Sequence, residues 1–255
     1  MKVLKKHLWR SVQSRSWGTH FCNPDDGQAK QHLGEILSAV EFMDRQSLDM
    51  VFSQQDWSKD PLENDYPYYV LVETSGSRMD HDMSKLETFL DKVMGDGIVV
   101  DGTVAQDNVQ ARNLFMLRED ITVALVSRGY VYKYDVSLPL ARYYELVEVM
   151  RERLADHEAV VVGFGHLGDC NLHLNISTKE KDPAVFALLE PFIFEWTAKC
   201  GGSISAEHGI GLHKPDYLHL SQSDAAIRQM AQLKHLFDPQ GILNPYKLFP
   251  SDVVC

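Results

Sequence analysis

Short runs of β-branched and aromatic residues alternate with stretches of helical periodicity from about residue 35 onward. The segment 68–74 is rich in such residues and is followed by Gly76, which predicts a strand. Apolar side chains at helical spacing between residues 86 and 93 predict a helix that ends at Gly95. The same criteria predict further strands at 98–100, 131–136, 159–162 and 172–177, and further helices at 143–154, 184–198 and 224–237.

One strand indicates the kind of sheet. Leu172, Leu174 and Ile176 alternate with polar residues that include His173 and Asn175. A sheet with one buried face and one face available for function is commoner among antiparallel sheets than among parallel ones. A parallel α/β sheet is the alternative, and we predict an α+β fold with a ferredoxin-like antiparallel sheet backed by helices.

Glycines at 163, 165 and 168 match the GxGxxG pattern of dinucleotide-binding folds. That function requires a helix to begin at the end of the pattern, so that the helix N-terminal amides meet the pyrophosphate. Residues 169–177 have the two-residue periodicity of a strand instead. We therefore predict a turn between two strands and no nucleotide site.

Composition excludes several classes of function. The 255 residues include 25 Lys and Arg against 36 Asp and Glu, for a formal charge of −11, whereas nucleic-acid binding needs a clustered excess of basic residues. No uncharged apolar run reaches the roughly twenty residues of a membrane-spanning helix. The 4 cysteines show no CxxC spacing, so we expect a reducing compartment and no disulfide framework. Small-molecule chemistry remains.

Residues 1–22 differ from the rest of the chain in charge. They contain basic but no acidic side chains, and Leu4, Leu8 and Val12 recur every fourth residue among several serines. This amphipathic pattern is typical of a mitochondrial transit peptide, and a frayed basic terminus is the alternative. We predict targeting to the mitochondrial matrix, exclude 1–22 from the fold, and expect a linker at 23–34 and one domain at 35–250.

Two segments carry candidate catalytic chemistry. His166 and His173 are spaced to suit the two arms of a hairpin, with His173 and Asn175 on the same strand face. Glu207 and His208 are adjacent in a glycine-rich segment, where the backbone can approach a ligand closely. His166, His173 and Glu207 would form the ligand set of a catalytic zinc site with an open position, and His208 is free to move protons. A pair of core histidines and an incidental Glu-His pair in an exposed turn are the alternative interpretation.

Longer segments resemble a known family. GHLGDCNLHLN (165–175), SAEHGIGLHK (205–214) and FDPQGILNPYK (237–247) are similar to three signatures in the C-terminal half of flavin-dependent D-2-hydroxy-acid dehydrogenases. LREDIT (117–122), YVYKYD (130–135), ILSAVEFMD (36–44) and VETSG (72–76) resemble the D-2-hydroxyglutarate branch more closely than the D-lactate or glycolate branches. The resemblance covers approximately residues 33–250.

This resemblance implies oxidation of D-2-hydroxyglutarate to 2-oxoglutarate by hydride transfer to FAD. By similarity, zinc would be bound by His166, His173 and Glu207, and His208 would take the hydroxyl proton. The substrate-binding residues implied by the resemblance are Arg118, Thr122, Lys133, Asn175 and His208, and the residue implied for the flavin is Asn244. The implied partners are a small 2-hydroxy dicarboxylate and an electron-acceptor protein, and homo-oligomerisation is left open.

Physical reasons support some of these roles. Arg118 and Thr122 are four residues apart, which would place them on one helical face, and a guanidinium can hold a carboxylate through two parallel hydrogen bonds. Lys133 supplies a second cation, which suits a dicarboxylate better than lactate. Alone, Arg118 and Lys133 would be ordinary surface charges.

Two departures from the family pattern bear on this interpretation. Cys170 stands where the family usually has glycine in the turn, so its side chain would restrict a positive φ and perturb or join the metal shell. The family's FAD-binding domain normally precedes this region, and we therefore interpret the chain as a truncated product or an alternative gene model. The rival hypotheses are a catalytically inactive module that binds zinc and a dicarboxylate, and an independent zinc hydrolase.

Overall fold

A computed structural model describes the backbone of residues 4–12 and 27–250 and the side chains of residues 27–250. The strands in these ranges are β1 (Leu4–Val12), β2 (Leu37–Asp44), β3 (Tyr68–Gly76), β4 (Asp101–Val104), β5 (Tyr130–Ser137), β6 (Val160–His166) and β7 (Asn171–Thr178). The α-helices in them are α1 (Gln28–Leu33), α2 (Arg45–Gln54), α3 (Met79–Gly95), α4 (Asn108–Glu119), α5 (Ile121–Arg128), α6 (Glu145–Arg153), α7 (Pro183–Leu189), α8 (Phe192–Lys199) and α9 (Asp224–Phe237).

The strands form one sheet in the order β4-β1-β3-β2-β6-β7-β5. The neighbouring strands pair antiparallel throughout. β5 and β6 run in the same direction with β7 between them, and α6 connects them, which is the split βαβ arrangement of ferredoxin-like folds. The predicted α+β class with a helix-backed antiparallel sheet is confirmed.

Helices cover both faces of the sheet. On one face, the larger core packs α1, α3, α6, α7 and α8 against the side of β7 that carries Leu172, Leu174 and Ile176. On the other face, a smaller core packs α2, α4 and α5 against residues such as Tyr69 and Phe164. The second face is therefore apolar under these three helices and polar beyond them, and the candidate site residues His166 and His173 lie in the polar part.

Two predicted elements differ from the observed ones. Residues 98–100 are not a strand. The N–H groups of Ile98 and Val99 both donate to the carbonyl oxygen of Val93, and these two bonds cap the C-terminal end of α3. Gly97, with a φ of 69°, lies in the turn between Val93 and Ile98. The strand begins at Asp101. The predicted helix 184–198 is two helices, because Glu190 ends α7 and Pro191 lacks the N–H that would continue the ladder.

The N-terminal segment corrects another expectation. Residues 4–12 form β1 and pair with β3 and β4, whereas we excluded 1–22 from the fold. A four-residue repeat fits a helical stripe and also one strand face, because four is a multiple of two. Residues 1–3 and 13–26 lie outside the described residues, so the transit-peptide role stays a prediction. The predicted linker is also corrected, since α1 lies within 23–34 and buries Ala29 and Leu33.

The GxGxxG segment is a turn between strands, as predicted. Gly163 and Gly165 lie in β6, a 3₁₀ turn spans Leu167–Asp169, and β7 follows at Asn171. No helix begins where a pyrophosphate would need one. None of the helices among the described residues combines the length and the apolar content that a membrane span requires.

Candidate functional site

The polar face of the sheet brings predicted site residues into rows. In one row, Glu41 on β2 lies opposite His166 on β6, and His166 lies opposite Asn171 on β7. In the next row, His173 on β7 lies opposite Asp135 on β5. Because residues opposite one another in antiparallel strands project to the same face, these side chains form one polar surface.

The segment that contains Glu207 and His208 is held over this face by hydrogen bonds to β5. Ser137 and Ser203 exchange two backbone hydrogen bonds, each 3.0 Å long. The buried carboxylate of Asp135 accepts the N–H groups of Glu207 and His208 through Oδ2, at 2.9 and 2.8 Å. Burial opposes the charge of Asp135, but these two amide donors outweigh it and lower the pKa. Asp135 therefore fixes the backbone from which Glu207 and His208 project.

The Glu207 carboxylate is the centre of a histidine cluster. Its Oε1 lies 3.5 Å from Nε2 of His173, 3.6 Å from Nε2 of His208 and 3.8 Å from Nε2 of His166. The rings of His166 and His173 meet edge to face with their centroids 5.1 Å apart, and those of His173 and His208 are stacked at 5.7 Å. Four residues from two distant sequence segments thus meet at one point.

These separations fit a metal ion. Ligand atoms at about 2.0–2.1 Å from a tetrahedral zinc lie roughly 3.3 Å apart, close to the distances around Glu207. One ligand atom from each of Asp135, His173, Glu207 and His208 lies within 4.8 Å of the others, and Asp135 Oδ1 is buried without a hydrogen-bond partner in the described part of the chain. That group does not include His166, whose Nε2 lies 3.8 Å from Glu207 Oε1 and is also 3.1 Å from Nη2 of Arg118.

Burial sets the charge of His173. Its side chain is 10% exposed, and desolvation, followed by the nearby Arg118 guanidinium, lowers its pKa to about 4. The imidazole is therefore neutral near pH 7, which is the form that binds a metal.

Glu41 connects His166 to Arg118. A guanidinium has donors only, so Nη2 of Arg118 donates to Nε2 of His166 at 3.1 Å, and the His166 proton is on Nδ1. That Nδ1 donates to Oε1 of Glu41 at 2.8 Å, while Oε2 of Glu41 accepts from Nε of Arg118 at 2.8 Å. The hydrogen bond to Glu41 raises the pKa of His166. Burial of Glu41 opposes its charge, but His166 and Arg118 outweigh burial and lower the pKa of Glu41.

Arg118 is not the surface charge that its residue type suggests. It is 8% exposed, and its guanidinium carbon lies 5.3 Å from the centroid of the Phe164 ring. The expected helical face shared with Thr122 is corrected, because α4 ends at Glu119 and α5 begins at Ile121. Thr122 is half-buried in the first turn of α5.

Lys133 and Asn175 lie opposite each other on β5 and β7, one step along the same face from Asp135 and His173. Asn175 is buried and Lys133 is exposed. Lys133 and His208 line the same cleft, of about 480 Å³, beside β5. Its lining also includes Lys181, His213 and Lys214.

Two further predicted residues lie away from the cluster of candidate ligands. Asn244 is exposed, has a φ of 47° and accepts a hydrogen bond from Lys247 Nζ at 3.2 Å. Cys170 adopts the left-handed conformation, with φ 63° and ψ 25°, and packs at the edge of the larger core. Burial raises the pKa of its thiol. The group of candidate metal ligands found among the described residues does not include Cys170.

Sequence reasoning missed three residues of the site. Glu41 and Asp135 lie inside the segments 36–44 and 130–135, which carry the family resemblance. Neither spacing nor residue type indicated which side chains these two carboxylates would contact. Asn171 is 1% exposed, and both polar atoms of its amide lack a hydrogen-bond partner in the described part of the chain. A buried carboxylate within a strand was the available signal for Glu41 and Asp135, because such groups require partners.

Comparison with known proteins adds independent information. A model of the family described as "FAD linked oxidases, C-terminal domain" matches residues 27–248. Mitochondrial D-2-hydroxyglutarate dehydrogenase from Bos taurus is 50% identical over 219 residues, which cover 86% of this chain and 40% of the relative. The Arabidopsis thaliana protein of the same name is 49% identical over 226 residues, which cover 89% of this chain and 40% of the relative. The chain thus spans about two fifths of the length of these curated relatives.

Solved structures share the fold. The 4-ethylphenol oxidase from Gulosibacter chungangensis superposes with a TM-score of 0.63 at 13% identity, over 98% of this chain and 54% of that one. An alkyldihydroxyacetonephosphate synthase superposes with a TM-score of 0.57 at 13% identity, over 96% of this chain and 45% of that one. At this identity the superpositions concern the architecture alone.

Proposed function

Because the chain belongs to the family of FAD-linked oxidase C-terminal domains, we propose that it supplies the substrate- and zinc-binding half of an FAD-dependent D-2-hydroxyglutarate dehydrogenase. The reaction would convert D-2-hydroxyglutarate to 2-oxoglutarate. The names of the relatives support the substrate class, and the cluster around Glu207 supports the chemistry.

The observation that carries this proposal is the convergence of three imidazoles on one carboxylate oxygen, at 3.5–3.8 Å. We assign His166, His173 and Glu207 to the metal and His208 to the proton. His166 donates its second ring nitrogen to a carboxylate, as metal-binding histidines usually do. His208 has the most exposed side chain of the three histidines, at 58%, so it can reach a substrate.

The role of each group in the reaction follows from these positions. A bound FAD would supply the acceptor for the C2 hydride, and a divalent metal held by His166, His173 and Glu207 would supply a Lewis acid for the C2 hydroxyl. His208 takes the hydroxyl proton through Nε2, and the Asp135 carboxylate holds the backbone N–H of His208 in place. The substrate loses one hydride and one proton, and 2-oxoglutarate is the product.

Two cations on opposite sides of His173 suit a substrate with two carboxylates. Arg118 lies over Phe164 on β6, and Lys133 lies two strands away on β5. Two strand spacings amount to about 10 Å, which leaves room for a five-carbon diacid between the two side chains. Asn175, beside Lys133, would hold the hydroxyl or a carboxylate, and Thr122 and Asn244 are assigned to substrate and flavin by resemblance.

The setting of the reaction is part of the same proposal. Both relatives are named as mitochondrial proteins, which supports a mitochondrial location and, with the basic N-terminal segment, the matrix. An electron-acceptor protein would reoxidise the flavin.

Metal analysis of the purified 255-residue chain tests the cluster directly. We expect about one equivalent of zinc per chain, and loss of that zinc in His173→Ala, because a structural or catalytic zinc site needs at least three protein ligands. His166→Ala is expected to weaken zinc binding more than His208→Ala does. Less than about half an equivalent in the wild type, unchanged in His173→Ala, would contradict the site.

Calorimetry and dye reduction separate the enzyme from its rival. We expect D-2-hydroxyglutarate to bind more tightly than D-lactate, and Lys133→Met to remove that preference because the distal carboxylate loses its cation. Lys179→Met is the matched control, since Lys179 pairs with Glu158 on the surface. Dye reduction with added FAD supports the dehydrogenase, and binding without turnover supports the inactive binding module.

A further inference from the structure

Glu41 lies in the segment 36–44, and the proposed function gives it no role. Its carboxylate is 4% exposed and belongs to β2, the strand beside the one that carries His166. One oxygen accepts from Nδ1 of His166 and the other accepts from Nε of Arg118, both at 2.8 Å. Glu41 therefore contacts one residue assigned to the metal and one residue assigned to the substrate.

The bond to His166 determines which ring nitrogen faces the cluster. A carboxylate only accepts, so its partner Nδ1 must carry the proton of the neutral imidazole. The lone pair is then on Nε2, the nitrogen 3.8 Å from Glu207 Oε1, where it accepts from Nη2 of Arg118 at 3.1 Å; a metal ion on Nε2 would displace that hydrogen bond. Without an acceptor at Nδ1, the proton can move to Nε2, where it would block metal binding.

The bond to Arg118 determines where the guanidinium points. Nε is held by Glu41 and the guanidinium lies above Phe164; these two contacts remain when a metal ion takes His166 Nε2 from Nη2. Nη1 is directed away from Glu41 and lies 3.6 Å from Glu119 Oε1. An arginine held in this way meets a substrate carboxylate without losing further rotamer freedom.

We propose that Glu41 is a positioning residue that couples the metal ligand His166 to the substrate-binding residue Arg118. This inference rests on the proposed function, because it takes the roles of His166 and Arg118 from it. It goes beyond that function because it assigns two effects to the single buried carboxylate of Glu41. Glu41 determines the tautomer of His166 and the orientation of the Arg118 guanidinium.

Two substitutions separate the two contacts. Glu41→Gln keeps an oxygen that can accept from Nδ1 of His166, but its amide group then presents a donor to the Nε donor of Arg118. We expect Glu41→Gln to bind zinc within threefold of the wild type and 2-hydroxyglutarate at least tenfold more weakly. Glu41→Met removes both acceptors, and we expect a further loss of zinc affinity of about 10- to 100-fold, as for other partners of metal-binding histidines.

Asp44→Asn is the matched control. Asp44 lies on the same strand, is 1% exposed and also binds an arginine, Arg151, at 2.7 Å. Its other bonds go to Ser47, Tyr144 and Gly163, none of them in the cluster. We expect this variant to lose stability and to keep wild-type zinc and substrate affinities.

The experiment combines calorimetry with zinc alone, calorimetry with 2-hydroxyglutarate, and nitrogen NMR of the histidine rings in the full 255-residue chain. The His166 signal is the one absent from His166→Gln. The proposal expects a protonated Nδ1 in the wild type and in Glu41→Gln, and a mixture of tautomers in Glu41→Met. It is overturned by a protonated Nε2 in the wild type, or by Glu41→Gln retaining wild-type affinity for both ligands.

The readouts distinguish failure of this inference from failure of the proposed function. If the wild type binds neither zinc nor 2-hydroxyglutarate, the proposed function fails, and the tautomer of His166 in the wild type compared with that in Glu41→Met still decides whether Glu41 positions His166. If Glu41→Met does not fold, as shown by its circular dichroism, the unequal effects of Glu41→Gln on the two affinities remain the deciding result.

Discussion

His173 illustrates how burial prepares a single residue for its role. The groups that face it are Arg118, His166, Asp135, Glu207 and His208, all of them from elements other than β7. Desolvation is the largest influence, and it favours the neutral imidazole. The same burial that keeps the ring available for a cation makes its protonation costly to the fold.

Stability should therefore fall in acid because of His173. Its pKa is about 4 in the folded chain against 6.5 when unfolded, so its contribution is complete above pH 6.5 and is lost as the pH falls toward 4. The loss amounts to about 2 kcal/mol at pH 5. Urea unfolding at pH 7.5 and pH 5 measures it, and His173→Gln should lose that much less than the wild type between the two pH values. An equal loss in both proteins would contradict the prediction.

Cys170 illustrates the cost of an unusual backbone conformation. Its φ of 63° lies in the left-handed region, which costs a residue with a Cβ atom roughly 1–2 kcal/mol relative to the right-handed one. The turn between β6 and β7 requires this conformation whatever the residue is.

Substitutions at Cys170 should follow backbone strain more than side-chain size. Cys170→Val is expected to lower the free energy of unfolding by about 1–2 kcal/mol relative to Cys170→Gly, because a β-branched residue tolerates positive φ least. Chemical denaturation of the two variants measures the difference. A valine variant as stable as the glycine variant would show that the turn can change its conformation.

At the scale of elements, the glycines of the β6–β7 hairpin have different functions despite their shared motif. A Cβ at Gly163 would lie 2.5 Å from Cγ2 of Val147, because α6 packs directly on β6 at this point. A Cβ at Gly168, in the turn, would meet no atom within 4 Å. The motif that resembles a nucleotide site therefore serves helix-to-sheet packing at its first glycine.

The pair of alanine variants at these glycines tests that interpretation. Gly163→Ala should lower the free energy of unfolding by about 1–3 kcal/mol, the usual cost of overpacking a core. Gly168→Ala should change it by less than about 0.5 kcal/mol, as surface substitutions usually do. Urea unfolding of both variants is the measurement, and equal effects would show that α6 moves to admit the methyl group.

At the scale of the whole molecule, the cluster joins segments that are far apart in the chain. His166 and His173 belong to the sheet, whereas Glu207 belongs to the segment held by Ser203 and Asp135. A cation bound there would hold that segment against the sheet, and only the folded chain presents the complete ligand set. Binding of zinc to the proposed site would therefore be linked to folding.

Adding zinc should stabilise the whole chain. Free zinc at one hundred times its dissociation constant is expected to raise the free energy of unfolding by about 2.7 kcal/mol, and a chelator should reverse the gain. Thermal unfolding with and without zinc measures the effect. Glu207→Ala should abolish it, and Glu158→Ala, which alters an exposed glutamate paired with Lys179, should not. Stabilisation of the Glu207→Ala chain by zinc would place the ion elsewhere.

Local patterns in the sequence were enough to determine the class of fold. Alternation at 172–177 predicted a strand of an antiparallel sheet, and the helical spacing at 86–93 predicted α3, because side-chain periodicity follows backbone geometry directly. Elements were misplaced where the chain closes or interrupts a helix, at 98–100 and at Pro191. At 98–100 the hydrogen bonds to Val93 decided the boundary, and at Pro191 the missing N–H did; side-chain periodicity reports neither.

Some residues of the candidate site could be identified from the sequence, and others only from the tertiary structure. Residue type and spacing singled out His166, His173, Glu207 and His208, because imidazoles and carboxylates near glycine turns are recognisable in a sequence by themselves. Only the tertiary structure decided that Glu41, 125 residues from His166, would share a hydrogen bond with it. It also decided that Arg118 would be buried and that Asp135 would hold the segment 207–208. These contacts depend on strand order and helix packing, and many chain segments must be placed together before such a pair of side chains can meet.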